Sequence, residues 1–86
     1  MIDQTSTNNI ADTYTFAPFD YPQGILTYSA QSVVAGVPQA LVAGIAFVPA
    51  TRTLNWTKPT GTYVVRITAV NNSGQSAYDD INIVVT

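Results

Sequence analysis

The chain has no cysteine, no histidine and no glutamate, and only three basic residues among 86. Without cysteine there can be no disulfide framework and no thiolate metal site. With histidine and glutamate also missing, aspartate is the one side chain left to act as a base near neutral pH. A Ser or Thr nucleophile would have neither a base nor a group to orient that base. Enzymatic activity is therefore not expected. Three cations and a net charge of −2 cannot cover a phosphate backbone, so nucleic acid is not an expected partner. Long apolar runs are missing as well. "VVAGVPQALVAGIAFV" (33–48) is too short for a membrane span and is interrupted by Gly36, Pro38 and Gly44, so no membrane insertion is expected. "MIDQTSTNNIADT" has neither the basic start nor the apolar run of a signal peptide, so export would imply that these residues come from a longer chain.

What is present is strand-forming. Hydrophobic residues make up 47% and charged residues 9%, with Val, Ile, Thr and Tyr prominent and strong helix formers scarce. Residues 1–11 are polar and aperiodic and read as a flexible linker, leaving one module over 12–86. "TYTFA" (13–17) is a short strand that stops at Pro18, and "PFDYPQG" (18–24) is a loop. "ILTYSAQSV" (25–33) alternates, with Leu26, Tyr28 and Ala30 on one face. "QALVA" (39–43) is a short strand or one helical turn. "GIAFVPATRTLNWT" (44–57) reads as a hairpin around "PATR", with Leu54 and Trp56 sharing the core face. "TYVVRITAV" (62–70) puts Tyr63, Val65, Ile67 and Ala69 on one side. "NNSG" (71–74) turns the chain into "QSAYDDINIVVT", with Ile81, Ile83 and Val85 inward. About seven antiparallel strands without a helix predict an all-β sandwich.

Asp79 and Asp80 are out of place in that last strand, because aspartate is depleted in strands and strict alternation turns one of the two inward. A β-bulge at 79–80 would put Tyr78 in the core and both carboxylates in solvent, which is the expected arrangement. An unbroken register would instead turn Asp79 inward and require buried hydrogen-bond donors.

Four segments, "LTYSA" (26–30), "IAFVPATRTLNW" (45–56), "GTYVVRITAVNNSGQSA" (61–77) and "INIVV" (81–85), together resemble bacterial He_PIG and dystroglycan-type cadherin-like repeats. The resemblance covers about residues 12–86 and rests on order and spacing more than on any single motif. It implies an Ig-like Greek-key sandwich, usually one repeat of a large secreted or surface-anchored bacterial protein. Such repeats serve as spacers, in adhesion, or beside polysaccharide-degrading domains. Implied partners are neighbouring domains of the same polypeptide, a polysaccharide or another surface protein, with the isolated domain monomeric and the location extracellular or at the cell surface. The family's acidic Asp-x-Asp-Gly loop is replaced here by "FDYPQG", and the Asp after its Phe by Val48.

Candidate sites follow from these residues. A calcium ion needs six to eight oxygens, and its candidate ligands are Asp12, Asp20, Asp79 and Asp80. A sugar ring stacks on an exposed aromatic face, and the candidates are Tyr14 and Tyr21, since Trp56, Tyr28 and Tyr63 sit at inward positions. A carbohydrate-binding accessory module is thus the alternative to a spacer or adhesive repeat, and a row of exposed aromatics on one sheet face would favour it. Lys58, with Asn55, Asn82 and Asp79, has the residue types of an isopeptide cross-link, but it falls in a turn where a solvated lysine is expected. The charge-free run from Gly24 to Thr51 could supply an apolar contact in a self-associating subunit.

Overall fold

The computed structural model describes residues 3–86 as a two-sheet sandwich of eight strands. The strands are β1 (Gln4–Ser6), β2 (Asp12–Thr15), β3 (Thr27–Val34), β4 (Val37–Gln39), β5 (Ile45–Val48), β6 (Thr53–Trp56), β7 (Gly61–Val70) and β8 (Ser76–Val85). One sheet has the order β1-β8-β7-β3-β4 and the other β2-β6-β5. The all-β Ig-like sandwich expected from the sequence is therefore present, with one strand more than seven.

The longest hairpin sets the frame. β7 and β8 pair antiparallel from Gly61↔Val85 to Val70↔Ser76 without a break. Residues opposite one another share a face. Val65, Ile67 and Ala69 therefore share the inner face with Ile81, Ile83 and Val85, all buried. From the smaller sheet Ile45, Leu54 and Trp56 close over them, and Phe16, just past β2, completes the cluster. The β3–β4 turn is Ala35-Gly36, both at positive φ (52° and 79°), as a tight two-residue hairpin turn requires. Pro38 is tolerated because β4 is an edge strand and needs no donor on its outer side.

Three expectations are corrected. Where a linker is expected over 1–11, residues 4–6 form β1, parallel to β8 in the register Gln4↔Ile83 to Ser6↔Val85. Ser6 Oγ also accepts the indole N–H of Trp56 (3.0 Å), which ties β1 to the opposite sheet. The first two residues of that segment lie outside the described ones. Next, "QALVA" is neither strand nor helix beyond Gln39. Its Leu41 and Val42 pack against the core, and the Val42 N–H donates to the buried hydroxyl of Ser32 (3.0 Å). Finally, there is no bulge at 79–80. Register is unbroken, Tyr78 is exposed, and Asp79 lies on the inner face opposite Ile67. The bulge was expected because an inward aspartate should be costly to bury, but the two sheets gape at this point and Asp79 stays exposed.

Candidate functional site

The gape forms a cleft of about 430 Å³ between β2 and the first half of β8, crossed by the loop after β2. Its lining includes Tyr14, Phe16, Phe19, Asp20, Tyr21 and Asp79. Alternation along β2 aims Tyr14 inward beside Leu54, and its half-buried ring forms one wall. The loop is held by an aromatic cluster. Phe16 stacks on Phe47 (6.0 Å between ring centroids), while Tyr28 meets Phe16 and Phe19 edge-on at 5.6 and 5.5 Å. The Phe19 N–H donates to the Tyr28 hydroxyl oxygen (3.0 Å), and the Arg52 Nε–H donates to the Phe16 carbonyl (3.0 Å). So the backbone on either side of Ala17 and Pro18 is pinned, and the loop presents Asp20 and Tyr21 at the mouth. Tyr21 is 56% exposed.

Four of the six candidate residues therefore share one cleft: Tyr14, Tyr21, Asp20 and Asp79. The other two lie elsewhere. Asp12, at the start of β2, takes the N–H of its neighbour Thr13 (2.8 Å) and borders a separate depression of about 610 Å³ beside Trp56 and Asn55. Asp80 is on the outer face, where it accepts two hydrogen bonds from Arg66, Nε at 2.8 Å and a terminal nitrogen at 3.1 Å. The four aspartates considered for calcium are thus divided among three places. Among the described residues no three ligating side chains are grouped to hold a metal. Thermal unfolding in millimolar calcium is expected to match that in chelator at equal ionic strength. A midpoint higher by several degrees in calcium would show a specific site that stabilises the fold by mass action.

Arg66 is a participant the sequence reading passed over. Its guanidinium lies 4.0 Å from the ring centroid of Tyr78, so aspartate, arginine and tyrosine form one cross-strand group on the outer face. Counting outward from the four residues of "NNSG" would pair residue 66 with residue 79, and only the inclusion of Gln75 in the loop brings residue 66 opposite residue 80. The hydrogen bond from Arg66 holds the Asp80 carboxyl below the usual aspartate range against a smaller opposing effect of burial, with charge attraction adding to the lowering. An aspartate with a depressed folded-state pKa contributes stability above its unfolded value and loses it as pH falls through the folded value. A small acid-side loss is therefore expected below the ordinary aspartate value of 3.8. It should vanish in Asp80→Asn when the two proteins are titrated side by side, and an unchanged acid limb would remove the pair from the stability balance.

The cleft itself has a consistent chemical character. Its walls are aromatic, its rim carries two carboxylates, and among the described residues no basic side chain lines it. Lys58 is far from the isopeptide geometry considered above: its Nζ donates to the Ala43 carbonyl (2.9 Å) and sits over the Tyr63 ring. Trp56, as expected, is buried, at 2% exposure.

No curated protein matches the chain. The family model described as Putative Ig domain (He_PIG) matches residues 2–86, nearly the whole sequence, and the chain belongs to that family.

Proposed function

We propose that this chain is a non-enzymatic module of a larger secreted or cell-surface bacterial protein, acting outside the cell as a spacer or interaction repeat between neighbouring domains. The family supports a structural or interaction role in general terms. The observation that carries the spacer reading is a clasp at one end of the sandwich. Thr86 donates its N–H to the Ser6 carbonyl (2.9 Å), and its own carbonyl accepts the Asn8 N–H (3.0 Å) and the Asn8 side-chain amide (3.1 Å). At the other end of β1, Asp3 accepts the N–H of Asn82 (3.0 Å). A domain joined after Thr86 would leave from a backbone whose N–H and C=O are both tied to the Ser6–Asn8 segment, so its direction would be set by the sandwich and not by a free linker.

A lack of catalytic groups supports the non-enzymatic part. The cleft offers aromatic faces and exposed carboxylates, which suit holding a ligand better than turning one over. Against the carbohydrate-binding alternative, the outer faces of the two sheets show no row of aromatics. Among the described residues Tyr78 is the one aromatic on an outward register position.

Tandem copies test the reading. The sandwich is 40 Å along its longest axis. Small-angle scattering from two, three and four fused copies should show a maximum dimension that grows in proportion to copy number. Growth with the square root of copy number, as for beads on a flexible string, would overturn the spacer reading.

A further inference from the structure

β1, the first strand of the described residues, lies beside β8, the last, and runs in the same direction from Gln4↔Ile83 to Ser6↔Val85. In a longer polypeptide, tension reaches the module ahead of Asp3 and leaves it after Thr86. The first pull acts against the direction of β1 and the second along that of β8, so the two strands are drawn past one another lengthwise. Asp3 sits beside Asn82, about 13 Å along β8 from Thr86, while paired strands are only about 4.8 Å apart. The line between the two points of attachment is therefore close to the strand axis, and the β1–β8 ladder is loaded in shear.

The contacts are placed to share that pull. Main-chain groups of successive strand residues point to alternate sides. The Thr86 N–H reaches the Ser6 carbonyl (2.9 Å) and the Asn82 N–H reaches the Asp3 carboxylate (3.0 Å). The N–H of Val84 between them faces β1 as well, and the register brings it to Gln4. Side chains add to the ladder at both ends: the Asn82 amide lies 3.4 Å from the second Asp3 oxygen, and the Thr86 hydroxyl lies 3.4 Å from the Ser6 carbonyl. Ser6 is also held from the opposite sheet by the Trp56 indole. Past β1, Asn8 donates twice to the Thr86 carbonyl and the Asn9 N–H donates to the Lys58 carbonyl (2.8 Å).

We infer that β1 and the last turn of contacts along β8 form a mechanical clamp, through which the module carries tension between its neighbours without unfolding. The inference deepens the spacer reading above and rests on it. Bonds stretched in parallel must break together, whereas bonds met one after another by a peeling strand break singly, and forced unfolding follows the barrier along the axis that is pulled. The rest of the fold offers no such resistance at the N-terminal side. β2 begins at Asp12 opposite Trp56, at the same end of the sandwich as Thr86, since the short Lys58–Thr60 turn joins Trp56 to the Gly61↔Val85 pair. A pull between Ala11 and Thr86 would grip β2 and β8 at that one end and peel them. β1 converts a peeling geometry into a shearing one, which gives a three-residue polar strand a role that its small contribution to the core does not.

Single-molecule stretching tests the clamp, and the cysteine-free chain lets two introduced thiols choose the axis. In one version a cysteine precedes Met1 and another follows Thr86. In the second, Ala11→Cys replaces the first attachment, so that β1 lies outside the path of the force. At equal loading rate the unfolding force is expected to be at least about twofold higher in the first version. Gln4→Pro removes an N–H on the side that faces β8, while Thr5→Pro alters a residue whose main chain points away from it. Gln4→Pro should bring the first axis down to the second and leave the second unchanged, and Thr5→Pro should stay near the parent on both. Asn8→Ala, which spares the ladder itself, should lower the first axis alone and by less. Equal forces on the two axes, or equal effects of the two prolines, would overturn the inference. So would a Gln4→Pro loss of the same size on both axes, which would make β1 a contributor to overall stability only. Tandem copies that scatter as a rigid rod yet unfold at one low force on both axes would sink the clamp and leave the spacer reading standing. Copies that resist the first axis but scatter as a flexible string would do the reverse.

Discussion

Trp56→Ala is expected to remove about 3–5 kcal/mol from the stability of the folded chain, the largest effect of any single truncation. Trp56 is 2% exposed, lies on the inner face of β6, and belongs to the cluster built from Phe16, Leu54, Ile67, Ile81 and Ile83. Removing it leaves a void between the sheets and deprives the Ser6 hydroxyl of the indole N–H that joins β1 to β6. Domains of this size have a total stability of roughly 5–10 kcal/mol, so the variant would keep a small remainder. At about 4–8 °C per kcal/mol its midpoint should fall by about 15 °C or more. Trp56→Phe keeps a buried ring and loses the N–H donor, and should cost about 1–2 kcal/mol. Urea unfolding followed by circular dichroism compares the two directly. A cost under about 1 kcal/mol for the alanine variant would mean that the core does not depend on this ring.

The residues that made Trp56 readable are those whose neighbours lie close in sequence. In "TLNW" and "TYVVRITAV" the inward positions are all apolar or aromatic, the turns on either side carry Pro or Gly, and the inward set is found buried except for the half-buried Tyr63. Asp79 shows where this logic stops. Alternation assigns a side chain to a face, and it assigned Asp79 correctly once the register was taken as unbroken. It does not give depth. Whether an inner-face position is buried depends on how far the opposite sheet extends over it, and here β2 and its loop leave a gap. The bulge was inferred from a burial cost that the open cleft does not impose.

β1 was illegible for a different reason. Its sequence, "QTS", has no apolar alternation and no turn signal, and it pairs with residues near the other end of the chain. A strand held by a long-range parallel ladder, by Ser6 on Trp56 and by Asp3 on Asn82 leaves no local periodicity to read. The cleft combines both situations. Tyr14 could be placed on an inner face from its strand, whereas Asp20 and Tyr21 sit in a loop whose course is set by Tyr28 and Arg52. Each residue was a candidate from its chemistry, and only the fold could bring them together.

Asn71→Ala is expected to cost about 2–3 kcal/mol, an unusual penalty for a polar residue in a surface turn. The "NNSG" stretch reads as a plain hairpin turn, yet Asn71 is buried at 8% exposure and both ends of its amide are used. Its Nδ2 donates to the Gln23 carbonyl (2.7 Å) and to Gln75 Oε1 (3.0 Å). Its Oδ1 accepts the N–H groups of Ser73 (3.0 Å) and Gln75 (2.9 Å). Alanine deletes all of these at once. Water can reach the exposed Ser73, Gln75 and Gln23, so the penalty stays well below the sum for fully buried groups. Asn71→Asp separates the two halves of the network, because a carboxylate keeps the bonds from Ser73 and Gln75 but has no donor for Gln23. If the turn alone matters, Asp should behave nearly like the wild type. If the link to Gln23 matters, Asp should approach Ala, because Gln23 lies in the loop that carries Asp20 and Tyr21. The second outcome is expected, with faster amide exchange along residues 20–24 in both variants. The β7–β8 turn would then be a brace for the cleft mouth as well as a connection between strands.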